Sequence, residues 1–204
     1  TRYIKQASEG HTVVCMVQNP RVSLRPFDVV AVPYHDNIRG KNVVVTDGAP
    51  CRLTPALLEE AQAKWRNLLA YLPTPRIAVL VGGPSRSHKL DSQQADLLAA
   101  RVKIMHTQGR GGLMITTSRR TPPDLVQKLA IACRGSGSIL YTGGGENPYL
   151  GFLAWADRII CTNDSTSMIS DAATTGKPVE IFPLTRGGTR SRRFMAHLRD
   201  LGVG

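Results

Sequence analysis

Residues 159–182 read IICTNDSTSMISDAATTGKPVEIF. The apolar triplet Ile159–Cys161 gives way to a polar turn, Thr162–Ser167, and then to a helical stretch that Gly176 and Pro178 bring to an end. Glycine suits the position just past a helix, where positive φ is cheap for it, and proline cannot continue the helix. A second apolar run, Val179–Phe182, follows at once. Strand, turn, helix, stop and strand make a βαβ unit. Neither strand alternates polar with apolar residues, as expected of parallel strands covered on both faces.

Upstream the same period recurs. Ile77–Val81, Leu113–Thr116 and Ile139–Tyr141 are short apolar runs, each followed by turn residues and a helical segment. Asp91 with Gln94 three residues on resembles a capping box, and Ala95, Leu98, Val102 and Met105 then recur on one face before Gly109. Thr121–Pro122 and Asn147–Pro148 each place a cap before a proline at the first helical position, and Gly135 suits a helix stop. Five β-α repeats with right-handed crossovers predict an α/β fold, a doubly wound, Rossmann-like parallel sheet over residues 76–204.

The first 75 residues follow another pattern. Thr12–Val17, Val29–Val32 and Val43–Val45 read as strands joined by loops rich in Pro, Arg and Asn. Three strands in so short a stretch bury little core unaided, so residues 1–46 are read as the remnant of a truncated N-terminal α/β domain. Residues 47–75 are then a linker and a connecting helix, with Leu57, Leu58, Ala61, Trp65, Leu68, Leu69 and Leu72 forming one apolar stripe.

The 204 residues carry 26 Lys and Arg against 15 Asp and Glu, a formal charge of +11, with 42% hydrophobic residues. That balance excludes disordered, collagen-like and coiled-coil chains. Four cysteines at 15, 51, 133 and 161 have neither CxxC spacing nor a disulfide-framework pattern,. The apolar runs, such as Ile77–Val81, fall far short of the roughly 20 residues of a membrane span. The first residue is Thr1, and no signal-peptide pattern follows it. Together these lead us to expect a fragment of a cytoplasmic protein. Nucleic acid is not expected as a partner, because aromatics are only 5% of the chain and do not interleave the basic residues. A cluster at Arg186, Arg190, Arg192 and Arg193 suggests instead an anionic substrate, or peripheral contact with an anionic membrane surface.

In an open parallel sheet, ligands bind beyond the carboxyl ends of the strands. Four loops there are dense in Gly, Ser, Thr and Asn: Gly82–His88, Thr117–Thr121, Thr142–Asn147 and Thr162–Ser167. Gly82 and Gly83 would let backbone amides approach a phosphate, with Ser85 adding a donor; a tight β-α turn is the plainer reading. Arg119 and Arg120 suit a diphosphate, or are solvated surface. Gly143, Gly144 and Gly145 cost more conformational entropy than a simple turn requires. The polar turn at 162–167 opens a helix, whose free amides and dipole attract anions. Asp171 lies four residues beyond Ser167, so both share a helical face; there a carboxylate can hold a ribose diol, with the small Ala172 and Ala173 beside it, or simply be solvated. Glycine fingerprint, P-loop, Gly-x-Ser-x-Gly and His-x-x-x-His motifs are all absent,.

The segment TNDSTSMISDAATTGKPVEIFPL at 162–184 is similar to the donor-binding segment of GT-B glycosyltransferases. TDGAPCRLTP at 46–55, VGGPSRSH at 81–88, TTSRRTP at 116–122 and GENPYLGFLAWADRIICTNDSTSMISDA at 145–172 together resemble the bacterial relatives of the plant elongated-mitochondria fission factor. The resemblance covers essentially the whole chain. It implies a GT-B-like fold and a glycosyltransferase that moves sugar from a nucleotide-diphosphate sugar to a lipid or glycan acceptor. No further cofactor and no metal is implied, because a helix N-terminus and arginines can neutralise the leaving diphosphate.

Residue by residue, the resemblance puts Asp171 where the family has a ribose-gripping Glu, with a shorter reach. Ser165, Thr166 and Ser167 match the diphosphate-contacting helix start, and Gly82, Gly83 and Ser85 match the Gly-Gly-x-Ser loop. Glu146 and Asn147 fall by the nucleobase, next to Gly144 of the glycine run, which is read as a site on its conformational cost alone. His35 and Asp36, in VPYHD, are the candidates for the catalytic base, since His is matched to neutral pH; a surface His beside an Asp is the plainer reading. With most of the N-terminal half of the cleft absent, the chain is not expected to turn over. A non-catalytic adaptor that recruits a protein partner, as the plant relative is described, is the competing expectation. An epimerase of extended Rossmann type ranks last, lacking both the glycine fingerprint and a Tyr-x-x-x-Lys pair.

Overall fold

The computed structural model describes residues 2–109, 111–135, 137–185 and 187–203. Its larger sheet has five parallel strands, β4 (Arg76–Val81), β5 (Gly112–Thr117), β6 (Ser138–Tyr141), β7 (Arg158–Thr162) and β8 (Val179–Phe182), in the order β6-β5-β4-β7-β8. All five expected strands are present, lengthened by at most one residue at either end. Alternate residues of β4 explain the unbroken apolar run. Ile77, Val79 and Val81 pack under α4 (Ser92–Thr107) and α5 (Pro123–Ala132), whereas Ala78 and Leu80 face the opposite layer. That layer holds α6 (Tyr149–Trp155), α7 (Thr166–Thr174) and α8 (Thr189–Asp200). The chain runs outward from β4 to β6 and then crosses back to β7. The strand order therefore reverses between β4 and β7, opening a crevice above their carboxyl ends.

Asp91 caps α4 as expected, accepting from the Gln94 amide at 3.0 Å, and Ala95, Leu98, Val102 and Met105 are buried. Two other caps sit one residue later than the sequence suggested. Pro122 is the N-cap of α5 and Pro148 that of α6. Thr121 is drawn away from capping because its buried hydroxyl donates to the Gly82 carbonyl at 2.6 Å. Asn147 instead forms a local turn, accepting from the Tyr149 amide at 3.0 Å. Gly176 ends α7 at φ +70° as a helix stop should,.

The smaller sheet is parallel too, β1 (Cys15–Val17), β2 (Val29–Pro33) and β3 (Val43–Thr46) in that order, preceded by α1 (Arg2–Ala7). Its core is small: Phe27, Val30 and Val32. The expected connecting helix is two pieces, α2 (Pro55–Lys64) and α3 (Arg66–Leu69), because Trp65 leaves helical geometry at φ −94°, ψ 8°. The break turns Trp65 onto Gly151 of α6, where an added Cβ would lie 2.5 Å from the indole. Leu68 is consequently left exposed. The strap between β3 and α2 lies along α7. Ala49 N donates to Ser170 Oγ at 2.9 Å, and Gly48 passes so close that a Cβ would sit 2.5 Å from the same oxygen. Beyond β2, the 3-10 turn Tyr34–Asp36 rests on α8, with Tyr34 stacked on His197 at 4.0 Å and His35 edge-on to Phe194.

Candidate functional site

The crevice above β4 and β7 is filled from within by a polar cluster. Asp164, its carboxylate fully removed from solvent, accepts from the Gly83 amide at 3.0 Å, the Thr162 hydroxyl at 2.7 Å and the Arg120 guanidinium at 2.9 Å. Thr162 Oγ1 in turn accepts from the Gly82 amide at 2.8 Å. A Cβ on Gly82 would lie 2.2 Å from both Asp164 oxygens, and one on Gly83 2.2 Å from the Arg120 carbonyl. The glycine pair is therefore required by the close approach of protein groups. This corrects the expectation that Gly82 and Gly83 offer open amides to a phosphate: both N–H groups already have acceptors. Ser85 likewise serves its own turn, its Oγ accepting from the His88 amide at 3.1 Å. His88 is buried and bonded to Ser191 of α8 at 3.0 Å. Desolvation above all, with Arg120 adding to it and Asp164 opposing, holds the His88 pKa below its ordinary value.

Two open clefts flank this cluster. One, about 780 Å3, runs between the 50–60 segment and α7 and is lined by Ser167 and Asp171 together with Cys51, Leu53 and Leu150. Asp171 is thus half-buried at the edge of an open cleft, and the i, i+4 pair shares it. Burial pushes its carboxyl pKa up, while a hydrogen bond from the Tyr149 phenol at 3.0 Å opposes that rise. Tyr149 is itself pushed above the ordinary phenol range, first by burial and then by Asp171, so it stays a donor. Only Asp171 Oδ2 is engaged among the described residues. The second cleft, about 420 Å3, lies over the ends of β4, β5 and β6 and is lined by Thr117, Arg119, Tyr141, Gly143, Asn147, Tyr149 and Met168. Tyr149 and Met168 line the second cleft, and their chain neighbours Leu150 and Ser167 line the first.

At the start of α7, Ser165 caps the helix by accepting from Met168 N at 3.3 Å. Among the described residues the amides of Thr166 and Ser167 have no acceptor, which leaves the helix N-terminus open to an anion,. The glycines at 143, 144 and 145 have φ of +113°, +84° and +64° with nothing within 4 Å of an added Cβ, so conformation and not crowding demands them. Glu146 is exposed and paired with Lys64 instead of lining a cleft. Lys177 serves structure, donating to the Leu153 and Ala154 carbonyls at the end of α6, both at 2.6 Å.

His35 and Asp36 lie elsewhere, at the carboxyl end of β2. His35 is not a surface residue: it is 1% exposed, with Nε2 3.8 Å from Asp36 Oδ1. Asp36 pairs with Arg190 of α8. The arginine cluster is divided. Arg186 lies outside the described residues, whereas Arg190 and Arg193 line a pocket with His35. Asp164, Tyr149 and His88 were not singled out in the sequence. The apolar-to-polar switch at Cys161–Thr162 marks where Asp164 lies, but its inward orientation has no local signature.

Among the described residues no helix is long and apolar enough to cross a membrane, and no group of three or more His, Cys, Asp or Glu is placed to hold a metal. The fold is similar to that of UDP-GlcNAc 2-epimerase from Neisseria meningitidis, crystallised bound to UDP-GlcNAc (TM-score 0.51, 13% identity, 90% of this chain and 55% of that one). MurG of Acinetobacter baumannii is a second structural neighbour (TM-score 0.50, 18% identity, 87% of this chain and 46% of that one). The chain is thus Rossmann-like and of the GT-B type. In sequence it is 29% identical to the mitochondrial fission protein ELM1 of Arabidopsis thaliana, over 98% of this chain and 52% of the relative. It is 26% identical to an uncharacterized protein of Rickettsia prowazekii, over 88% of this chain and 60% of that one. The chain therefore spans little more than half the length of these relatives. The model of one family, described as mitochondrial fission ELM1, matches residues 1–204 from end to end, and the chain belongs to that family.

Proposed function

We propose that this chain carries the donor-binding half of a glycosyltransferase, taking a nucleotide-diphosphate sugar along the carboxyl edge of the larger sheet. One observation carries the reading. Asp171, partly desolvated and held by Tyr149, lines a large cleft beside the open N-terminus of α7. A carboxylate with one oxygen anchored can accept from a ribose diol through the other, while the Thr166 and Ser167 amides hold the adjoining phosphate. Arg119 and Asn147, in the neighbouring cleft, are the groups for the base or the second phosphate. The diphosphate rests on α7 and not on the Gly82–Gly83 turn, whose amides are spent on Thr162 and Asp164. His35 is assigned to the acceptor side.

An epimerase among the structural neighbours warns that fold alone does not choose a reaction,. Binding is therefore the property to test. In a panel of nucleotides and nucleotide sugars, one ligand at 100 times its dissociation constant is expected to stabilise the chain by about 2.7 kcal/mol. No thermal response to any of them would overturn the proposal. The second reading, an adaptor that keeps the fold without the chemistry, is favoured by the occupied amides at Gly82 and Gly83, and that null result is what it predicts.

A further inference from the structure

The pocket at the carboxyl end of β1 and β2, about 360 Å3, is lined by Gln18, Asn19, Arg21, His35, Asp36, Thr189, Arg190 and Arg193. Three guanidiniums against one carboxylate leave it cationic. Arg190 is paired with Asp36, and neither Arg21 nor Arg193 has an acidic partner among the described residues. The twelve-residue helix α8 begins here. Gly188 gives it no side-chain cap, its first turn holds no acid, and Arg190, Arg192 and Arg193 crowd its positive end. Cations in that position oppose the helix dipole, a cost an anion would reverse. An independent observation points the same way. His35, 1% exposed, has no hydrogen-bond partner at either ring nitrogen. Its Nε2 is turned toward Asp36 and so toward Arg190, both in the pocket wall. A buried polar group without a partner is costly unless a ligand or water supplies one.

We propose that this pocket is an anion site for a phosphate group, held by Arg21, Arg193 and the first amides of α8, with the buried His35 in its wall. The site lies on the smaller sheet, away from Asp171. The transferase reading makes its phosphate that of the acceptor, so that the second substrate is a phosphorylated molecule. That identity rests on the proposed function; the anion site itself does not.

The test uses inorganic phosphate as the probe, without nucleotide. Calorimetry and the imidazole resonances of His35 are followed in the native chain and in Arg21→Gln, Arg193→Gln and Arg193→Lys variants. Arg21 and Arg193 are exposed, so their loss leaves the core intact, and unchanged melting temperatures check this. The expected result is saturable binding that shifts the His35 signals. Each Gln variant should weaken it about tenfold or more, the scale of a charge-assisted hydrogen bond, with Arg193→Lys in between. Unmoved His35 signals, or equal affinity in all four proteins, would overturn the site even if nucleotides bind elsewhere. A second arm titrates a nucleoside diphosphate. Unchanged nucleotide affinity in the Gln variants supports a separate phosphorylated substrate. An equal loss there would assign the pocket to the donor's own diphosphate and overturn the acceptor identity.

Discussion

Gly82 is held to glycine by the carboxylate packed against its Cα. The Gly-Gly-x-Ser loop lies at the crevice where ligands enter such sheets, yet the space a side chain would fill is held by the Asp164 carboxylate at 2.2 Å from the Cβ position. Gly82→Ala is expected to destabilise the chain by about 1–3 kcal/mol, the usual cost of overpacking, as read by denaturant unfolding. A stability equal to the parent's would mean that Asp164 is free to move away. Composition and spacing could not distinguish the two roles, since a glycine required by a ligand and one required by a neighbouring carboxylate look alike in sequence. That Asp171 shares a face with Ser167 is legible because the i, i+4 relation is local, whereas the burial of His35 is not, since it depends on α8, more than 150 residues away.

At the scale of elements, β4, β5 and β7 could be read directly, because a central strand covered on both faces writes itself as an apolar run, and the partly buried edge strands β6 and β8 follow from the same period,. Helix starts were less legible where a tertiary contact competes for the capping side chain, as Val81 and Gly82 do for Thr121. The break at Trp65 was hidden for the same reason: an apolar stripe continues through 57–72, but Gly151 of α6 opens a slot that only the indole fills. Helix α7 is the element on which the proposed site rests, and its cap is local. Ser165→Ala should cost about 1 kcal/mol of stability through the lost bond to Met168 N,. It should also weaken nucleotide binding in calorimetry, because the frayed first turn no longer holds the Thr166 and Ser167 amides in place. Loss of stability with full nucleotide affinity would separate the cap from the site.

In the whole molecule, the two sheets are joined where the turn after β2 meets α8, and this junction should report on pH. Burial chiefly, then Arg190 and His197, lower the His35 pKa, while Asp36 raises it; Arg193 and Arg21 share the pocket. A base whose folded pKa lies below its unfolded value of 6.5 contributes stability that is complete above that pH and lost as pH falls toward the folded value,. The melting temperature is therefore expected to decline on acidification below about pH 6.5. His35→Phe, which keeps the ring against Phe194, should make that decline shallower, and His88, shifted the same way, should sustain the rest. An unaltered slope in the variant would place His35 outside the transition. Whether Asp171 holds the ribose of a bound nucleotide is read by comparing the calorimetric affinities of a nucleoside diphosphate and its 2′,3′-dideoxy analogue in the parent chain and in Asp171→Ala. The parent should prefer the diol about tenfold or more, on the scale of hydrogen bonds to a charged group, and the variant should show no preference. An equal preference in both proteins, or no binding by the parent, would contradict that role of Asp171.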